Sequence, residues 1–161
     1  MTFSKRWFLV AALVIAAVFA AAAAADHGGK GKGREHGKAL RQHLVGSILS
    51  DPPIHGVTRG GLPWEGTGTA RLDRKGRFEV RIRGLVIAGT NNAGPVTSLK
   101  FSLFCAPDSS GPAFTTGSTP LSTNGNARLR QHVTAPQRCL APVVLAHPNG
   151  IMAAYIAATG F

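Results

Sequence analysis

Histidines are the side chains of this sequence with the clearest potential for metal chemistry. The six are His27, His36, His43, His55, His132 and His147. No two have the spacing of a zinc site on a helix or a knuckle, so the simpler interpretation is that they are solvated or lie in turns. His27 supports one sharper hypothesis. Cleavage after Ala24 would leave the terminus Ala25-Asp26-His27, whose amine, amide and imidazole nitrogens suit Cu(II) or Ni(II), whereas cleavage after Ala25 removes that chelate. No other metal and no cofactor is predicted.

Residues for nucleophilic catalysis are sparse. There is no Gly-x-Ser-x-Gly motif, and Asp108-Ser109-Ser110 is typical of a turn. The seven acidic residues include no two that the sequence places face to face, as a glycosidase requires. A small hydrolase-like enzyme therefore stays an alternative whose site would be built from loops, with convergence of His55, Asp108 and Ser110 as its test.

Basic residues recur at the outward positions of predicted strands. These are Arg71, Arg81, Arg83, Lys100, Arg128 and Arg130. If the strands are neighbours, the side chains form a positive face suited to anionic polymers such as cell-surface glycans; the alternative is an ordinary solvated face. Specific nucleic-acid binding is disfavoured because the chain has one Tyr and two Trp for base stacking.

Cys105 and Cys139 are the two cysteines of the chain. In an exported protein an isolated pair predicts one disulfide, and the spacing is not that of a redox-active Cys-x-x-Cys pair. Trp64 lies at the end of a predicted loop rich in Pro and Gly. It is either an exposed binding aromatic or a plug at the end of the core, and we favour the core position.

The clearest structural signal is a β-hairpin that would position three of the arginines. Its strands are predicted over 65–73 and 77–87, joined by the turn Arg74-Lys75-Gly76. In the second strand, Phe78, Val80 and Ile82 alternate with charged residues, which predicts one buried and one solvated face.

Further short strands are predicted at intervals along the chain. They lie at 44–50, 97–105, 114–123, 127–134, after Cys139, and after the turn at Pro148-Asn149-Gly150, with another hairpin signal at Asn124-Gly125. Seven to nine short strands with frequent turns favour an all-β domain, either a β-sandwich or a Greek-key barrel.

The first 25 residues are typical of a secretory signal peptide. Lys5 and Arg6 precede an apolar run and an alanine-rich exit. The alternative is an uncleaved membrane anchor, which would be the protein's contact with a membrane. Residues 26–43, rich in Gly, Lys and His, predict a disordered basic leader before a domain over 44–161. Lys5 and Arg6 leave with residues 1–25 but all seven acids remain, so the exported part keeps a net charge of +9.

The hairpin also resembles a known family. The segments GTGTARL (66–72), GRFEVRIRGL (76–85) and GPVT (94–97) are similar to the opening of the chordin-type CHRD domain, over roughly residues 44–105. That family carries a His-Ile-His pair where this chain has LKFSL (99–103), so roles tied to those histidines do not transfer. The resemblance implies an exported all-β module with no assigned catalysis.

These observations together predict a secreted or periplasmic, non-enzymatic binding or structural module. Its expected partner is an anionic envelope polymer or glycan, contacted through the basic sheet face.

Overall fold

The computed structural model describes residues 38–105 and 111–159, and its secondary structure there is β-strand and turn. The prediction of an all-β domain is therefore confirmed. The predicted signal peptide (1–25), His27 and the turn at 108–110 lie outside the described residues. Among the residues described, no helix is long and apolar enough to cross a membrane.

Eleven strands are described, against the seven to nine predicted, and the longer ones follow the predicted pattern. Their bounds are β1 (Lys38–Gly46), β2 (Thr58–Arg59), β3 (Trp64–Asp73), β4 (Arg77–Ile87), β5 (Ser98–Phe104), β6 (Phe114–Thr115), β7 (Thr119–Pro120), β8 (Ala127–His132), β9 (Val143–Pro148), β10 (Ala154–Tyr155) and β11 (Ala157–Thr159).

Nine of these strands form one continuous antiparallel sheet. Its order is β6-β5-β9-β11-β1-β3-β4-β8, and β7 pairs with β5 beside β6. The other two, β2 and β10, pair in parallel as a separate two-stranded sheet. The domain is thus built around a single sheet that curls on itself.

The two edges of the curled sheet meet where β7 lies beside β8. The Thr119 hydroxyl donates a hydrogen bond to the Arg128 carbonyl over 3.0 Å. The Gly117 backbone N–H donates to Oε1 of Gln131 over 2.9 Å. Side chains here satisfy edge groups that a strand would otherwise leave open, which protects the edge from pairing with another chain.

The β3–β4 hairpin follows directly from its sequence. Phe78, Val80 and Ile82 are buried on the concave side. In the turn, Oδ1 of Asp73 accepts hydrogen bonds from the backbone N–H groups of Lys75 and Arg77, each 2.9 Å long. Gly76 has φ +81°, and a Cβ there would collide with the Val133 carbonyl oxygen, so the turn requires glycine.

A bulge at Gly84 changes the alternation of β4. The register passes from Thr67 opposite Arg83 to Glu65 opposite Val86, so β4 contains one extra residue. Gly84 has φ +61°, the left-handed conformation that such a bulge uses. As a result Arg83 stays exposed while Leu85 enters the core at 1% exposure.

The main core fills the inside of the curl. It includes Phe78, Leu99, Phe101 and Ile156, and Trp64 packs there at 5% exposure. The core position predicted for Trp64 is confirmed. Phe114 adds an edge-on contact with Phe78, with ring centroids 5.0 Å apart.

A second apolar cluster lies on the other side of β5, β9 and β11. Its buried members are Val57, Phe104, Leu145, Tyr155 and Ala158. The segment that contains β2 contributes to this cluster, and the Tyr155 hydroxyl donates to the Pro52 carbonyl over 2.7 Å. Sequence alternation predicts one buried face for β5, but both its faces are covered because this distant segment packs on the outer one.

The predicted boundary between leader and domain is six residues too late, because β1 begins at Lys38. Leu40 and Leu44 are both buried, and β1 pairs with β3 from Lys38 to Val45. The strand predicted over 44–50 instead ends at Gly46. Beyond it, the Asp51 carboxylate accepts a hydrogen bond from the Ile48 N–H and closes a turn.

The predicted disulfide is present between Cys105 and Cys139. It joins the residue after β5 to the segment that leads into β9, and the Leu140 N–H also donates to the Cys105 carbonyl over 2.9 Å. The bond closes a loop with a sequence separation of 34 residues.

We expect the double variant Cys105→Ala/Cys139→Ala to lose about 3–4 kcal/mol of unfolding free energy, because the open chain gains conformational entropy when unfolded. Urea unfolding followed by circular dichroism measures the loss. Wild-type protein unfolded with and without reductant is the matched control. Equal midpoints in both conditions would contradict a stabilising disulfide.

Candidate functional site

Basic side chains cover the convex surface of four neighbouring strands, β1, β3, β4 and β8. All of them are exposed. We call this surface the basic face, and its members are Arg41, His43, Arg71, Arg81, Arg83, Arg128 and Arg130. The condition on which the predicted face depended, that the arginine-bearing strands be neighbours, is met for β3, β4 and β8.

Sheet register arranges these side chains in transverse rows. Arg41 lies opposite Arg71 across β1 and β3. Arg81 lies opposite Arg128 across β4 and β8. Like charges placed directly opposite destabilise a sheet. Glu79, on the other side of Arg71, offsets this repulsion in the first row, whereas the row of Arg81 and Arg128 contains no carboxylate among the described residues.

Two carboxylates neutralise part of this surface. Glu79 accepts from Nε of Arg130 over 2.8 Å, and Asp73 accepts from Nε of Arg77 over 2.8 Å at the hairpin turn. Hydrogen bonds from the backbone and side chain of Arg77 hold the pKa of Asp73 below its usual value. In the described part of the chain, Arg41, Arg71, Arg81, Arg83 and Arg128 form no salt bridge with any carboxylate.

An open groove of about 310 Å³ runs across the basic face. Small residues of β3 form its floor, and the longer side chains of β1 and β4 form its walls. It is lined by His43, Thr67, Gly68, Thr69, Arg71, Glu79, Arg81 and Arg83. A second depression of about 250 Å³ shares Arg71 and Glu79 with it and extends toward the hairpin turn. The shared lining makes the surface suitable for an extended ligand.

Lys100 does not belong to this surface. It lies on β5, opposite His147 of β9, and β9 and β11 separate β5 from β1. Its inclusion in the predicted face is therefore wrong. Strand alternation correctly indicates that Lys100 points away from the main core, but strand order, which is a long-range property, decides its neighbours.

Arg41 and His43 belong to the basic face, although the sequence places them in the predicted leader. They alternate with the buried Leu40 and Leu44 along β1. That alternation is the signal that could have identified them, and polar Gln42 at the intervening inward position obscures it.

A second polar site lies on β5 and β9 and is buried. Nε2 of His147 is 3.1 Å from the Ser102 hydroxyl, and Nδ1 is 2.8 Å from the Ala154 carbonyl. The carbonyl can only accept, so Nδ1 carries the proton and the Ser102 hydroxyl donates to Nε2. Both residues are 0% exposed. The pair therefore resembles a serine–histidine dyad in distance but holds strands together, out of reach of a substrate.

The other predicted candidates are placed as follows. The His55 ring stacks on Phe104, with centroids 4.5 Å apart. Asp108 and Ser110 lie outside the described residues, as does His27, so neither their convergence with His55 nor the terminal copper site is described. Within 38–105 and 111–159, no three His, Cys, Asp or Glu residues gather as a potential metal site.

Together the fold and site define a disulfide-bonded, all-β domain with an exposed cationic groove. Comparison with known proteins finds no matching family model, curated protein or solved structure.

His147 makes folding pH-dependent. Burial lowers its pKa in the folded protein, outweighing the hydrogen bond to the Ala154 carbonyl. In the unfolded chain, the imidazole of His147 titrates near its ordinary pKa of 6.5. Below that pH the unfolded state takes up a proton that the folded state resists, so the free energy of unfolding falls as pH falls. Well above pH 6.5 the imidazole is neutral in both states, so the free energy of unfolding no longer depends on its titration.

We expect the wild-type free energy of unfolding to fall by up to about 1.4 kcal/mol per pH unit between pH 6.5 and 5 from this one group. In His147→Gln that contribution disappears, while every other titrating group remains. Urea unfolding of both proteins across this range gives the difference in slope. Parallel pH profiles would show that His147 is not the responsible group.

Proposed function

We propose that this protein is an exported, non-enzymatic binding module whose basic face holds an anionic polymer or glycan of the cell envelope. The observation that carries the proposal is the set of five arginines on neighbouring strands with no carboxylate partner among the described residues. An extended polyanion would supply missing counter-charges and relieve the repulsion between Arg81 and Arg128.

The surroundings of the groove favour a polymer over a small ligand. Its two depressions share residues and stay open to solvent along the sheet. A small-molecule site would instead be concave and largely apolar. The basic composition of the whole chain adds long-range attraction, which speeds encounter with polyanions.

Two further features support export. The disulfide between Cys105 and Cys139 fits an oxidising compartment. The apolar N-terminal run has the composition of a signal peptide. The resemblance of the hairpin to CHRD domains is also consistent with an exported β module without catalysis.

Retention on immobilised heparin, with salt elution, tests the proposal. Arg81→Glu/Arg83→Glu should elute at clearly lower salt, and the slope of log affinity against log salt should decrease in magnitude by about two, since two phosphate-like or sulfate contacts are lost. The variant should fold, because a glutamate at position 81 would face Arg128 as an opposite-charge pair.

Lys100→Glu/Arg138→Glu is the matched control, with the same change in net charge away from the basic face. It should elute much closer to wild type. Equal shifts for the two variants would mean that total charge, rather than this face, governs retention and would overturn the proposal.

A further inference from the structure

Two threonine hydroxyls line the floor of the groove and have no hydrogen-bond partner within the described parts of the chain. Thr67 and Thr69 lie two residues apart on β3, both directed to the convex side. Their neighbours across β4 are Arg83 and Arg81, respectively. Across β1, Thr69 lies opposite His43. Each threonine is therefore flanked by an arginine, and Thr69 is flanked on both sides by side chains that carry N–H donors.

Donors thus reach the groove from several directions. Hydroxyls approach from the floor, guanidinium groups from the β4 side and an imidazole from the β1 side. A planar carboxylate presents two oxygens in one plane. A sulfate or phosphate monoester presents three free oxygens in three directions, and a phosphate within a polymer presents two that are not in the plane of a carboxylate. Arginine forms parallel N–H···O bonds with carboxylates and with these groups alike, so the donors from the further directions are what favour a tetrahedral group.

Glu79 restricts where an anion can lie. It occupies the row of Arg71 and Arg130, directly opposite Arg71, and its carboxylate repels a second anion there. The anion positions are therefore the two rows of Thr69 with Arg81 and Thr67 with Arg83. Two residues along a strand separate these rows by about 6.8 Å.

We propose that the groove is a site for tetrahedral oxyanion esters, with one sulfate or phosphate group in each of these two rows. This inference rests on the proposed function and names the chemistry of its ligand. A polymer that repeats such groups at about the row spacing can fill both positions at once, so it binds more tightly than inorganic sulfate or phosphate.

Binding of three immobilised polyanions tests the proposal: heparin, polyphosphate and poly-L-glutamate, at matched charge concentration and physiological salt. Wild type should bind heparin or polyphosphate about tenfold more tightly than poly-L-glutamate, because charge-assisted hydrogen bonds from the hydroxyls are available to the tetrahedral groups. Preference for heparin identifies the sulfate ester, and preference for polyphosphate identifies the phosphate.

Thr67→Val/Thr69→Val removes both hydroxyls and keeps shape, β-branching and net charge. It should lose the tenfold preference and bind poly-L-glutamate as wild type does. Thr123→Val/Thr134→Val, two exposed threonines outside the groove, is the control and should keep the preference.

The outcomes separate the two proposals. If the groove variant keeps the wild-type preference, or if wild type binds all three polymers alike, the oxyanion assignment is wrong while polyanion binding stands. If wild type binds none of the three at physiological salt, both proposals fail.

Discussion

The pairing of β1 with two partners is the constraint on which the rest of the structure depends. β1 contacts β11 through Leu44 to Gly46 and β3 along nearly its whole length. It therefore joins the β5-β9-β11 half of the sheet to the β3-β4-β8 half. Without it the main core would lose Leu40 and Leu44 and would open to water between the two halves. The curl brings the edges together at β7 and β8, so this central connection also holds that distant closure in place.

The core residues and the residues of the candidate site alternate along the same strands. Arg81 faces solvent because Val80 and Ile82 face the core, and a slip of one residue would exchange them. Burial of the apolar side chains therefore fixes the register, and the register in turn fixes the positions of the exposed arginines. The bulge at Gly84 lets Arg83 continue the exposed series while Leu85 still enters the core. Repulsion between opposed arginines is tolerated because the burial beneath them contributes far more to stability than the repulsion costs.

Local patterns predict the parts of this protein that are local in sequence. The hairpin, its turn at Gly76 and the disulfide pairing follow from alternation, turn chemistry and the presence of two cysteines. Strand order does not, because it depends on contacts between distant segments. For the same reason, alternation alone predicts neither that Lys100 lies apart from the arginines nor that a distant segment covers the outer face of β5. The placement of Arg41 and His43 on the basic face is not predictable for a different reason: β1 is polar in composition and is stabilised by its pairing with β3 and β11.

The two halves of the convex surface differ in composition and in whether another segment covers them. On β5, β9 and β11 the outward residues include Phe104, Leu145 and Ala158, which the segment around β2 covers. On β3, β4 and β8 the corresponding positions carry arginines and threonines, and no described segment covers them. A surface that only keeps a protein soluble usually mixes charges of both signs, whereas cations predominate on the half formed by β3, β4 and β8. A sheet face on which cations outnumber carboxylates, with threonine hydroxyls that have no hydrogen-bond partner among the described residues, supports the proposed ligand of opposite charge.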